Sequence, residues 1–124
     1  MGKRIKEVLE VCGRVLRNQA GVRDMQDESL EGRLAISALV CVGSAASNCG
    51  PYIEGKVAAM SAMSVGWMAG NGKVGKTAGD VMKKLCVFDV EDTWTAVDRY
   101  KEGEGVVARK VRGLMEFCET VLVK

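Results

Sequence analysis

The chain has 124 residues, of which 48% are apolar and 27% charged, with a formal net charge of +2. Such a composition describes one globular domain with a modest core and excludes a disordered chain, which pairs low hydrophobicity with high net charge. Histidine is absent, which removes the usual general base at neutral pH, every nucleophile pair built on it and the commonest zinc ligand.

Residues 3–18 place Ile5, Val8, Leu9, Cys12, Val15 and Leu16 at helical spacing. They predict an amphipathic helix whose other faces carry Lys3, Arg4, Lys6, Arg14 and Arg17. The segment does not read as a signal peptide, and Lys6 stands where a myristoylation signal wants Ser or Thr. Gly21 is the expected stop. In the acidic link VRDMQDES, residues 22–29, Asp27 or Ser29 is the expected cap of the next helix, with Glu28 and Glu31 near its positive end.

Residues 34–53 and 57–72 contain no charge: LAISALVCVGSAASNCGPYI and VAAMSAMSVGWMAGNG. Their Ala, Ser and Gly content predicts two close-packed helices joined at NCGP, with Pro51 or its successors opening the second. Together they form an expected central hairpin over about 30–70. The first run has the length of a membrane span, and the pairs Gly66/Gly70 and Gly43/Ser47 have membrane-helix spacing. Ser37, Ser44, Ser47, Asn48 and Pro51 interrupt it, however, so the core of a soluble bundle is preferred to a membrane-active hairpin. Met60, Met63 and Met68 beside Trp67 read as core filler or, where exposed, as an adaptable face for a partner helix.

Residues 70–77, GNGKVGKT, match the phosphate-binding P-loop pattern letter for letter. In that reading Gly70 and Gly75 let backbone amides wrap a phosphate, Lys76 reaches the terminal phosphates and Thr77 ligates magnesium. Asp89, ending the apolar run LCVFD, would hold the metal. The pattern needs a buried strand before Gly70 and further alternating strands and helices. The preceding residues favour a helix instead. The main expectation is therefore a glycine-rich connector between helices with Lys73 and Lys76 exposed, and phosphate binding at Gly70, Gly75, Lys76 and Thr77 is an alternative.

Beyond the connector, Val81, Leu85 and Phe88 share a face of a short helix, and Asp89 is placed to cap the next one. There Trp94, Val97 and Tyr100 fall on one side. The stretch KLCVFDV is the only place for a strand. Gly103 and Gly105 interrupt the chain before the clearest amphipathic helix, where Val107, Val111, Leu114, Cys118 and Val121 form a stripe widened by Met115 and Leu122. The sequence as a whole predicts an all-α fold, a compact bundle of five or six helices in a single domain.

The five cysteines, Cys12, Cys41, Cys49, Cys86 and Cys118, include no Cys-x-x-Cys pair. All but Cys49 sit among apolar residues, so they are expected as reduced structural thiols in a cytoplasmic protein. No metal, cofactor or catalytic residue is expected.

Lys73, Lys76, Lys83 and Lys84 make one basic cluster, Arg109, Lys110 and Arg112 a second, and the first helix a third. Asp89, Glu91, Asp92, Asp98, Glu102 and Glu104 make the stretch between the first two acidic. Solvated faces explain such clusters, and a composite surface for the RNA or DNA backbone is the functional alternative. No aromatic residue is interleaved with the lysines as a base-stacking platform requires. The leading expectation is a small non-enzymatic interaction or regulatory protein, an accessory protein of viral or other origin. It would bind a protein partner and form a homo-oligomer through Val107, Val111, Leu114, Cys118 and Val121. Nucleic-acid binding through Lys73, Lys76, Lys83, Lys84, Arg109, Lys110 and Arg112 is an alternative.

Overall fold

A computed structural model describes residues 2–17, 30–48, 50–70, 72–103 and 105–123. Gly21, the link 22–29 with its expected caps, Cys49 and Glu104 lie outside the described residues. Six helices of eight residues or more and one single turn carry the chain. They are α1 Gly2–Arg17, α2 Leu30–Asn48, the turn α3 Gly50–Ile53, α4 Val57–Val65, α5 Gly72–Phe88, α6 Val90–Val97 and α7 Val106–Val123. Short 3-10 segments prolong α4 through Gly66–Ala69 and α6 through Asp98–Lys101. The all-α bundle predicted from periodicity is the fold. KLCVF closes α5 as helix, and no strand occurs among the described residues.

The axis of the bundle is α5. Val74, Ala78, Val81, Met82, Leu85 and Cys86 recur at helical spacing and are all buried. Burying each large side chain among them contributes about 1.5–3 kcal/mol. Against one side lies α2, whose inward face is built from Ala35, Ala38, Leu39, Val42, Ala45 and Ala46. Small residues let the backbones approach: a Cβ on Gly43 would stand 3.3 Å from Val81 and 3.5 Å from the Lys84 stem. This seam between α2 and α5 is the most extensive in the molecule.

The contacts also fix directions. Gly43 lies beside Val81 and Lys84, and Gly50 beside Phe88, so α2 and α5 run the same way. The chain leaves α2 and α3 beside Phe88 at the end of α5 and must reach the start of α5 at Gly72, so α4 carries it back in the opposite sense. The expected hairpin over 30–70 therefore has different partners. Rather than packing on each other, α2 packs on α5 and α1, and α4 packs on α6 and α5. Pro51 opens only the single turn α3. The return arm starts at Val57, after Gly55 reverses the chain at a φ of +80° that favours glycine. No helix among the described residues is long and apolar enough to cross a membrane.

Asp89 caps α6 as expected. Its backbone is extended, and its carboxylate accepts the Asp92 N–H at 3.1 Å, while Glu91 and Asp92 sit in the first turn at the positive end of the helix. Where α6 faces the rest of the bundle, Thr93 is fully buried, as are Ser61 and Ser64 of α4, and none of these three hydroxyls has a hydrogen-bond partner.

The thiols depart from expectation. Cys86 of α5 and Cys118 of α7 are joined by a disulfide, with Cα atoms 6.1 Å apart. Both residues are buried in the seam between helices that run side by side, which is how two apolar-face cysteines come within bonding reach. Cys12 is a buried free thiol, whereas Cys41 is exposed on α2. Burial pushes the Cys12 thiol up to about 11, and the neighbouring Cys41 adds to that shift.

Candidate functional site

From Gly72 onward the segment GNGKVGKT is helix and not connector. Gly72 takes a φ of +62° and turns the chain into α5, whose first turns are formed by the residues from Lys73 to Thr77. Gly70 is extended, its N–H donating to the Trp67 carbonyl at 3.0 Å. A Cβ on Gly75 would collide with the Gly70 carbonyl oxygen and come within 2.9 Å of its carbon. The two glycines therefore serve each other, backbone on backbone, and Gly75 is buried. The expected glycine-rich loop is corrected to helix because the apolar spacing of α5 already begins at Val74. Lys76 is exposed and Thr77 half-buried on that helix, and Asp89 is engaged as the cap of α6.

What α5 builds instead is one wall of a groove of about 440 Å³ shared with α7. Lys76, Gly79 and Lys83 line it from α5, and Lys110 and Gly113 from α7, with the Asp80 carboxylate also present. Lys76 and Lys83 lie two turns apart on one flank, about 10 Å along the axis. The facing flank of α7 repeats the spacing as Lys110, Gly113 and Phe117. The helices run in the same direction, since Lys83 lies over Phe117 and Cys86 is bonded to Cys118 while Lys76 shares its groove with Lys110. The groove thus has lysines from both walls at one end, glycines in the middle and Lys83 at the other end, where its ammonium lies over Phe117 of the neighbouring groove.

A Cβ on Gly79 or on Gly113 would meet nothing within 4 Å. In a helix interior each glycine costs about 0.8–1 kcal/mol relative to alanine. Neither is needed for packing, and together they leave the middle of the groove open. Lys83 also borders a second groove of about 540 Å³, lined by Lys84, Phe88, Ala46 and Phe117 among others. The Lys83 Nζ stands 5.6 Å from the centre of the Phe117 ring, within reach of a cation–π interaction.

No family model, curated protein or solved structure matches this chain. What the site can do rests on its own chemistry.

Of the basic residues singled out in the sequence, the fold gathers Lys76, Lys83 and Lys110 into the first groove and adds Lys84 at the second. Lys73 and Arg109 are exposed outside both linings. Arg112 turns the other way: its Nη1 donates to the carbonyls of Lys101, at 2.8 Å, and Gly103, at 3.0 Å. It fastens the turn where Gly103 takes a φ of +99°. Asp80 is the acidic residue in the groove lining, whereas α6 and the 3-10 segment after it carry an acidic cluster of their own, where Asp98 pairs with Lys101 at 2.9 Å.

The stripe expected to mediate self-association lies largely inside the bundle. Val111 and Cys118 are fully buried, Leu114 is 4% exposed, and Val107 and Val121 are half-buried. Their helix packs within the chain against α5, α6 and the two 3-10 segments, and an amphipathic stripe records that a face is covered without recording by what. Four contributors escaped the linear reading: Gly79, Gly113, Phe88 and Phe117. Phe117 reaches Lys83 only through the packing of α7 on α5, whereas Phe88 already shares a flank of α5 with Lys84.

Proposed function

We propose that the chain is a non-enzymatic binding protein whose groove between α5 and α7 takes a polyanionic strand, the phosphodiester backbone of a nucleic acid. The observation that carries this reading is the convergence of Lys76, Lys83 and Lys110 from two helices on one groove that two helical glycines keep open. Lysine ammonium groups are compact point charges with three donors each, suited to a row of phosphates. Three lysines against the single carboxylate of Asp80 leave the groove lining with a net charge of +2, as much as the whole chain carries, and no residue of acidic α6 or its extension lines it. An accessory role in the cytoplasm belongs to the same proposal. The disulfide is compatible with it because both cysteines are 0% exposed, and thiol exchange requires access.

The test is fluorescence anisotropy with a labelled oligonucleotide across a salt series. Four lysines, Lys76, Lys83, Lys84 and Lys110, neutralising four phosphates of a single strand give a log–log slope of about −3, or about 50-fold between 50 and 200 mM salt. Lys76→Gln combined with Lys110→Gln lowers the slope by about 1.4, whereas Lys6→Gln on α1 leaves it unchanged. Absence of binding at low salt defeats the proposal.

Self-association is a second reading with a new location. Val8, Val11, Leu34 and Val40 are 41–55% exposed, and all lie on α1 or α2. Light scattering over a concentration series should show mass rising with concentration, and Val11→Asp should abolish the rise. A monomer throughout removes this reading.

A further inference from the structure

Resting on the reading of the α5–α7 groove as a polyanion site, we infer that the strand it takes is single and that one of its bases stacks at the Phe117 end. The two flanks carry one ladder, Lys76–Gly79–Lys83 facing Lys110–Gly113–Phe117, and only its last position places a ring opposite a lysine. Lys83 links the phosphate-binding part of the groove to the neighbouring cavity of about 540 Å³. Phe88 and Phe117, both half-buried, flank that cavity, and Ala46 of α2 adds little bulk to its wall. The cavity has room for a planar base.

A duplex keeps its bases paired inside, so aromatic rings beside a basic track give it little. An unpaired strand offers both a phosphate chain and free aromatic faces, which is the chemistry that lysines followed by a phenylalanine recognise. Lys83 serves both contacts. In the unliganded protein its ammonium covers the Phe117 ring, and when a base takes the ring the flexible stem lets the ammonium turn to the adjoining phosphate. Stacking of this kind accepts any base, so the preference is for single strands and not for a sequence.

The experiment compares a short oligothymidylate, a duplex hairpin with the same number of phosphates, and inorganic polyphosphate, all at low salt. The oligothymidylate is expected to bind about 5- to 150-fold more tightly than polyphosphate of equal charge. Phe117→Leu keeps the apolar bulk, removes that advantage and leaves polyphosphate affinity unchanged. Phe117→Trp is the second variant, guarding against a packing defect: it keeps the preference, and its added fluorescence falls with oligothymidylate and not with polyphosphate. Equal affinity for all three ligands, or a preference that survives Phe117→Leu, overturns the inference while the polyanion groove stands. If none of the three binds, the groove reading falls with it.

Discussion

Gly75→Ala separates a glycine that serves a ligand from one that serves the fold. If Gly75 belonged to a phosphate-binding loop, its hydrogen would face the ligand, and a methyl there would leave the free protein as stable as before. In the structure a Cβ collides with the Gly70 carbonyl. That carbonyl is backbone and has little room to yield. A Cβ on Gly70 itself would come within 3.1 Å of both the Trp67 carbonyl oxygen and Val74, and Trp67 is 4% exposed. Relieving the overlap means moving the 3-10 segment and its tryptophan off the start of α5. Overpacking of this kind costs typically 1–3 kcal/mol, and replacing a helical glycine returns about 1 kcal/mol, so the expected net loss is up to about 2 kcal/mol. For a chain of this length the melting temperature falls by up to about 10 °C. Gly79→Ala is the internal control: same helix, same substitution, and open space at the Cβ. It is expected to gain up to about 1 kcal/mol. Urea unfolding followed by far-ultraviolet circular dichroism measures both. A Gly75→Ala protein as stable as Gly79→Ala would refute the backbone-on-backbone contact.

Other consequences can be measured on the same unfolding curves. Asp89→Ala removes the cap of α6 and is expected to cost about 1 kcal/mol, with Asp89→Asn retaining most of it; equal losses in the two would show that the hydrogen bond to the Asp92 N–H contributes nothing. Ser64→Ala and Thr93→Val remove buried hydroxyls that have no partner, so each should raise stability by about 1 kcal/mol, and a clear loss in both would reveal hydrogen bonds the structure does not contain. Cys12 carries a pH dependence. Its thiol is raised from 9.0 to about 11 by burial and then by Cys41, so the fold favours the neutral form. That contribution is fully present below pH 9 and is lost as pH climbs towards 11. Cys12→Ala should therefore lose less stability than the parent over that window, and parallel decline in the two proteins would contradict the assignment.

Much of the fold could be read from spacing alone, because a helix that covers one face repeats its apolar residues with the period of its turn. Positions 5–16 in α1 and 107–121 in α7 show this directly. Spacing does not say which helix covers which face. The uncharged segments of α2 and α4 are adjacent in sequence and alike in composition, which makes a hairpin the natural expectation. Their actual partners follow from close approach. Gly43 and the alanines of α2 suit Val81 and the Lys84 stem, and α4 returns the chain to the start of α5. The segment GNGKVGKT misled for a related reason. A pattern match treats Gly70 and Gly75 as free backbone, and only tertiary packing reveals that they occupy each other.

The groove was half legible for a reason that its own geometry explains. On a helix, residues spaced i, i+3 and i+7 share a flank. Lys76, Gly79 and Lys83 satisfy this spacing, and so do Lys110, Gly113 and Phe117. Lys76 follows buried Gly75, Lys83 follows buried Met82 and Lys110 precedes buried Val111, but Arg109 and Arg112 also follow buried residues, so adjacency is shared and the side of the buried face decides. One residue's rotation from the core is the boundary of the buried face, and there two neighbouring helices present side chains to a shared groove. Arg109 has the opposite fate because it projects away from the stripe of Val111, Leu114 and Cys118, and Arg112 lies on the far flank, where it holds the turn before α7. The matched spacing was present in the sequence, but it gains meaning only once α5 and α7 are known to run side by side in one direction. Had α7 been reversed, Lys110 would stand opposite Lys83 and Phe117 opposite Lys76, separating the ring from the second cavity. Parallel packing is therefore what converts two ordinary basic helices into a track with an aromatic end.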